Sequence, residues 1–311
     1  MAVTVEVSQV KANWLYRLKH ASWRGERIDW SGYLFVLPFF IPFLTFTIVA
    51  ILFGTYIAFT NWSIMGTPEW VGAENFREAL RDPWVGKAFI NILRYGLIIV
   101  PGVTILGLLF ALYVNQRWPL SSFARTAFYS PNVVSATVIG LVWVWILDTQ
   151  YGLINNYLNR IGLPNIPWLT STQWSLVGVS IASIWWDLGF SFVLFLAALQ
   201  EIPAELKEAA AIDGANRLQT FWYVTLPQIR PTLSMVVTLQ LIATLRIFSQ
   251  VYMMTNGGPA GSSVSVIHYI YTEGIVRFRL GYTAAVSLLL FFVILIVTLV
   301  QQRLIREREE L

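Results

Sequence analysis

Two ionisable residues stand inside long apolar runs: Asp187 within 175–199 and Arg246 within 232–254. A charge in hydrocarbon is costly and faces a bundle interior, a cavity or a partner. Counted along a helix at 1.5 Å per residue, Asp187 lies about 18 Å and Arg246 about 12 Å from the same membrane surface. An arginine side chain nearly bridges that difference. Two readings stay open: an ion pair locking two helices, or a midplane cavity where Asp187 accepts hydrogen bonds from solute hydroxyls. Small polar ligands are held by aromatic and apolar walls plus a few polar groups that fix orientation. Trp185, Trp186, Phe190, Phe248, Gln250 and Tyr252 flank the two charges, and Asn132 follows Pro131 in another apolar run. The same residue types also pack helices and line membrane boundaries. Other chemistries lack their residues. With no cysteine there is no thiolate metal site and no cysteine nucleophile. His20 and His268 stand alone, without metal-ligand spacing, and the acids of 306–310 read as a solvated tail.

Whatever these residues do, lipid must position them. The chain has 311 residues, 56% hydrophobic and 12% charged, the charged share being about half that of a soluble domain. A spanning helix needs about 20 mostly apolar residues. Six runs qualify: 32–60, 95–114, 127–147, 175–199, 232–254 and 281–300. The expected fold is therefore all-α and polytopic, with six spans. Thirteen of the 21 Lys and Arg fall in the two tails and the loops 115–126 and 200–231, against six on the other side. That bias places both termini in the cytoplasm. The organisation is a basic tail (1–31), a membrane domain (32–300) and a charged tail (301–311). In the first tail Trp14, Leu15, Leu18 and Trp23 interleave with Lys11, Arg17 and Lys19, which suits an interfacial helix or a basic anchor equally. The external loops 61–87 and 148–174 read as compact surface loops, and 255–261 as a strong turn. A net charge of +4 so placed does not point to nucleic acid.

The loop 200–231 holds more than a connector needs. Pro203 beside Glu201 and Glu205 suits a helix start. The alanine-rich stretch 204–212 favours helix, and Gly214 is a left-handed stop. A second helix restarts over 216–224, and Pro227 and Pro231 close it. Ala209 and Ala210 add little bulk, so another backbone can approach, and Glu208 offers a carboxylate there. Phe221 and Trp222 are expected to anchor the second helix. The loop reads either as an amphipathic linker or as a knob for another protein's cleft.

The spacing Glu208-Ala209-Ala210, Gly214, Val224, Leu226-Pro227 resembles the EAA motif of bacterial ABC importer permeases, with valine where isoleucine is commoner. Asp213 precedes the motif glycine. The flanks resemble the carbohydrate-uptake branch, of maltose and sn-glycerol-3-phosphate type. They comprise 190–203, Phe248 with 252–259, and Trp70-Val71-Gly72 with Asn75-Phe76 and Asp82-Pro83. The resemblance covers about residues 30–305. Ser249 stands where an acidic residue often follows the phenylalanine.

The resemblance implies a non-catalytic permease subunit of the bacterial inner membrane, carrying a sugar or sugar-like solute inward. It implies a second, homologous permease, two ABC ATPase subunits and an external solute-binding protein. Mg-ATP would sit on the ATPase chains and no cofactor on this one; the sequence carries no GxxxxGK[ST] phosphate loop. Glu208, Ala209, Ala210, Asp213, Gly214, Leu226 and Pro227 would couple to the ATPase. The rival reading is an ion-coupled secondary carrier, whose charge relay would have only Asp187 as an intramembrane acid. An integral-membrane enzyme would need a catalytic cluster at one membrane face.

Overall fold

The computed structural model describes residues 30–63, 66–116 and 121–306. The basic tail through residue 29 and residues 307–311 lie outside these, so the helix-or-anchor expectation for the tail falls there too. The chain divides into two units, 1–53 and 54–311. In the first, helix α1 (Trp30–Phe43) carries Pro38 and Pro42 and runs into a π-helical stretch, Leu44–Val49. The apolar helical run Leu34–Ala58 is long enough to span, and α2 (Ala50–Ala58) continues into the second unit.

In the second unit a short antiparallel pair, β1 (Thr60–Asn61) and β2 (Glu69–Trp70), aligns Thr60 with Trp70. Amphipathic α3 (Glu74–Arg81) follows, then α4 (Pro83–Asn115). The expected compact loop 61–87 thus contains a helix. Asp82 starts α4 by accepting the Trp84 N–H at 2.8 Å, with Pro83 in the first turn. Its other oxygen accepts the hydroxyls of Tyr269 (2.5 Å) and Tyr282 (2.7 Å), tying α4 to the last two helices.

Helix α4 packs along α8 (Ser175–Glu201). The third predicted span, 127–147, is not one helix. It is α5 (Ser121–Val133) and α6 (Ala136–Ile146), bent by 102°. The Ser135 hydroxyl restarts the helix by accepting the Val138 N–H at 3.4 Å. Helix α5 reaches α8 at Gly189, where a Cβ would stand 2.6 Å from the Phe128 carbonyl oxygen. The loop 148–174 also holds a helix, α7 (Leu153–Arg160).

Beyond the 200–231 loop, the fifth predicted span is interrupted. Helix α12 (Arg230–Leu245) stops, and α13 (Ser249–Met254) begins three residues later. At the break Arg246 is exposed while Ile247 enters the core beside Trp143 and Val251. The turn 255–261 forms as expected, with left-handed backbone at five of its residues from Asn256 to Gly261. Asn91 donates to the carbonyls of Gly261 and Val264, both at 3.0 Å. Helices α14 (Val266–Tyr271) and α15 (Leu280–Arg306) complete the chain.

Among the described residues four helices are long and apolar enough to cross a membrane, and five if the bent pair counts as one. The remaining predicted span is divided between the 16-residue α12 and the six-residue α13.

Burial works upward on the Asp82 carboxyl. The tyrosine hydroxyls and the N–H groups of Trp84 and Val85 outweigh it and hold the carboxyl below the usual range. A depressed folded pKa stabilises above the unfolded value, and that stabilisation is lost as pH falls through the folded one. Resistance to thermal unfolding in detergent is therefore expected to fall as pH drops below about 4. Asp82→Asn should lower Tm at neutral pH and flatten that acid limb; an unchanged limb would refute the clamp.

Candidate functional site: the 200–231 elbow and the membrane interior

The loop 200–231 begins and ends in one core. Ile202 and Ile229 are buried with Phe192, Phe195, Leu199 and Val236. Between these anchors α9 (Ala204–Ile212) has no buried residue. Glu208 and Ala209 are exposed and Ala210 is half-buried. The helix stops as the sequence indicates. Asp213 caps it, and Gly214 takes φ +79°. The Ala215 N–H returns to the Ala210 carbonyl (2.9 Å) and the Gly214 N–H to that of Ala211 (3.1 Å). These two bonds form a Schellman closure. Two residues later Asn216 and Gln219 exchange side-chain bonds with each other's backbone N–H at 2.9 and 2.8 Å, a capping box. Helix α10 (Arg217–Thr220) then widens into a π turn, Phe221–Thr225.

Two expectations for the second arm need correction. Pro227 and Pro231 do not close it. Each sits in the first turn of a helix, α11 (Leu226–Gln228) and α12, where a missing N–H costs nothing. Leu226 and Pro227 are half-buried. Phe221 is half-buried, but Trp222 stacks edge-on against it (5.3 Å) and stays exposed, so only one of the two anchors. The elbow also exposes large apolar side chains, Ile212 at 86% and Tyr223 at 80%. Folded backbone with its bonds closed, held at both ends and greasy outside, has the form of a docking element.

In the membrane interior the predicted residues separate. Asp187 is half-buried on α8 and Arg246 exposed at the α12–α13 break, and they form no ion pair. The ion-pair reading of these two charges therefore fails. The helix ends at Arg246, whose backbone (φ −105°, ψ 15°) is no longer helical. Trp185 is exposed and meets Trp143 edge-on at 5.8 Å. Trp186 packs on the central core, and its indole N–H has no partner among the described residues. Its carbonyl receives the Asn132 amide at 3.4 Å, so Asn132 links the bent span to α8. Phe190 faces a largely apolar cavity of about 820 Å³ with Tyr129, Val133 and Val193. Phe248, Tyr252 and Tyr271 form a separate ring cluster, with centroids 5.4–5.5 Å apart, and Gln250 is buried nearby in sequence.

One polar constellation went unnoticed in the sequence. Buried Gln240 donates to the Ser191 hydroxyl at 3.1 Å, leaving its own amide oxygen without a partner among the described residues. The Thr244 hydroxyl, one turn on, is likewise buried and unpartnered. Ser191 lies one turn from Asp187 on α8. The constellation's signal in the sequence is a pair of polar residues at i, i+4 in an apolar run.

Residues 103–309 match the family described as binding-protein-dependent transport system inner membrane component. The chain belongs to this family. Curated relatives agree along nearly their whole length. The sulfoquinovosyl glycerol transport system permease protein SmoG of Agrobacterium fabrum is 33% identical over 82% of this chain and 83% of that protein. The trehalose/maltose transport system permease protein MalF of Thermococcus litoralis is 32% identical, over 90% and 95%. A chain of the crystal structure of a bacterial alginate ABC transporter, in complex with an alginate pentasaccharide-bound periplasmic protein, aligns with a TM-score of 0.80. It shares 26% identity over 90% of this chain and 96% of that one. The protein is thus an all-α integral membrane component of a binding-protein-dependent system, a transporter permease.

In this inner membrane component Gly214 has open space around its missing Cβ, so a substitution there strains backbone alone. Gly214→Ala should cost about 1 kcal/mol locally. The amides of Gly214 and Ala215 should then exchange hydrogen about fivefold faster, read by mass spectrometry. Unchanged exchange would contradict the left-handed closure.

Proposed function

We propose that this permease carries a sugar or sugar-like solute inward as one half of a permease pair, driven by ATP hydrolysed on two separate ATPase subunits. The named relatives are transport-system permeases for sulfoquinovosyl glycerol and trehalose/maltose, and the structural neighbour belongs to an alginate ABC transporter. These support the solute class. The Lys and Arg distribution supports cytoplasmic termini and therefore a cytoplasmic elbow. One observation carries the coupling role: α9 is folded and unburied, yet both ends of its loop are set in the core beside α8.

Such an element transmits displacement as a rigid body. A partner cleft grips Glu208, Ala209, Ala210 and the turn at Asp213–Gly214. When the ATPase pair closes on Mg-ATP, its motion passes through Leu226, Pro227 and Ile229 into α12, and through Ile202 into α8. Helices bearing the interior polar groups then shift, and the pathway opens toward the external solute-binding protein. Asp187, with Ser191, Gln240 and Thr244, offers acceptors and donors to solute hydroxyls. Trp185, Trp186, Phe190 and Asn132, and the separate set of Phe248, Gln250 and Tyr252, remain candidates for other points along the path, and Arg246 is the one cation among them. Nothing in this reading asks a residue of this chain to make or break a covalent bond.

Glu208→Lys places a cation where the cleft receives a carboxylate. A hot-spot loss of about 2 kcal/mol, about 30-fold in affinity, is expected. The ATPase should fail to co-purify, or should hydrolyse without driving uptake into proteoliposomes. Asp187→Ala should keep the assembly and its ATPase activity while uptake falls. Wild-type uptake by the Glu208 variant would overturn the coupling role, and wild-type uptake by the Asp187 variant would remove that residue from the solute path.

A further inference from the structure

Helix α7 is held more firmly than a connector between two spans requires. Asn155 is fully buried and donates to the carbonyls of Asp148, Thr149 and Ile166, at 3.3, 3.1 and 2.9 Å. Its amide oxygen accepts the Ile166 N–H and the Trp168 indole N–H, both at 3.1 Å. The far end closes when the Leu163 N–H returns to the Leu158 carbonyl at 2.9 Å. Ile154 and Leu158 pack on the central core with Trp143 and Trp168. One face of α7 is therefore fixed against the protein, which also fixes what the other faces present.

A second face is apolar and uncovered. Leu153, Tyr157 and Ile161 succeed one another at four-residue spacing and are 43%, 60% and 71% exposed. The third face carries exposed Asn156, Asn159 and Arg160. Two apolar faces and one polar face do not suit a helix surrounded by water.

Position indicates what covers the stripe. The bent span ends at Ile146, and Asn155 grips the carbonyls of the next turn. Helix α7 therefore lies where α6 leaves the hydrocarbon. Leu141, Val142 and Trp145 on α6, the helix that α7 contacts, are exposed too. Tyrosine suits the membrane–water boundary. The Arg160 guanidinium stands 5.7 Å from the Tyr157 ring centroid, within reach of headgroup phosphates.

We propose that α7 lies in the headgroup boundary of the bilayer, with Leu153, Tyr157 and Ile161 inserted in lipid and Arg160 at the phosphates. The partner is the phospholipid surface. Because Asn155 locks α7 to the end of α6, the contact sets the depth of the bent span. A rocking transporter would keep this corner at constant depth.

The chain has no cysteine, so single-cysteine variants take a nitroxide cleanly once partner cysteines are replaced. Leu153→Cys, Tyr157→Cys, Ile161→Cys and Asn156→Cys are labelled in the assembled transporter, in liposomes without binding protein. Collision with oxygen, which concentrates in lipid, is compared with collision with a water-soluble nickel chelate. The oxygen-to-nickel ratio should be several-fold higher at 153, 157 and 161 than at 156. Nickel access along the stripe equal to that at 156 overturns the proposal, as does shielding from both reagents, which means a protein cover. Independently, in the unmutated chain, a phospholipid with a diazirine high in its acyl chain should label the segment 151–163. Labelling of α6 with none on that segment would also overturn it.

Discussion

Lipid offers the backbone no hydrogen-bond partner, and each unsatisfied N–H or carbonyl there costs several kcal/mol. The rest of the architecture follows from this constraint. It makes the interior helical, and it requires every interruption to be mended locally. At the bend of the third span, Ser135 takes the Val138 N–H and Asn132 reaches the Trp186 carbonyl. Where α12 stops, the Arg246 and Ile247 N–H groups return to the carbonyls of Ala243 and Thr244. The breaks are short, bonded and placed against packed neighbours, which is the condition for tolerating them within a membrane domain.

The same accounting governs the elbow between Ile202 and Ile229. Its turn uses backbone bonds at Ala210 and Ala211, and its second arm starts with the reciprocal Asn216–Gln219 bonds. Little conformational freedom is left between Ile202 and Ile229. A segment of this kind moves with its anchors, and the anchors belong to the core that contains α8 and α12. Helix α8 also carries Asp187 and Ser191, and α12 carries Gln240 and Thr244. A push on the elbow and a change in the interior polar groups are thus mechanically connected through two helices. This connection supports the proposed importer role better than any single side chain does.

At the opposite end of the bundle, charge and hydroxyl groups serve cohesion. Asp82 gathers two tyrosines. Glu273, almost wholly buried, pairs with Arg277 and Arg279, and Arg279 reaches Glu78 at 2.5 Å. Asn91 and Tyr95 hold the left-handed turn after α13. These bonds tie α3, α4, α14 and α15 together, so the charged residues gathered here read as structural fasteners.

By composition and local pattern alone, the chain declares itself a helical membrane protein with an elbow at 204–214. Those features depend on neighbours in sequence: apolar run length, alanine propensity, a glycine at the one left-handed position. Helix α9 forms over the residues its sequence indicates. The motif spacing also led to the family. Tertiary structure alone decided that 127–147 bends, that 232–254 breaks before Phe248, and that Asp187 and Arg246 do not meet. It also decided that Gln240 and Ser191 do meet. Apolarity tells a residue to leave water but not which neighbour it will face. That choice falls to packing between helices far apart in the chain, which a run of apolar letters does not encode.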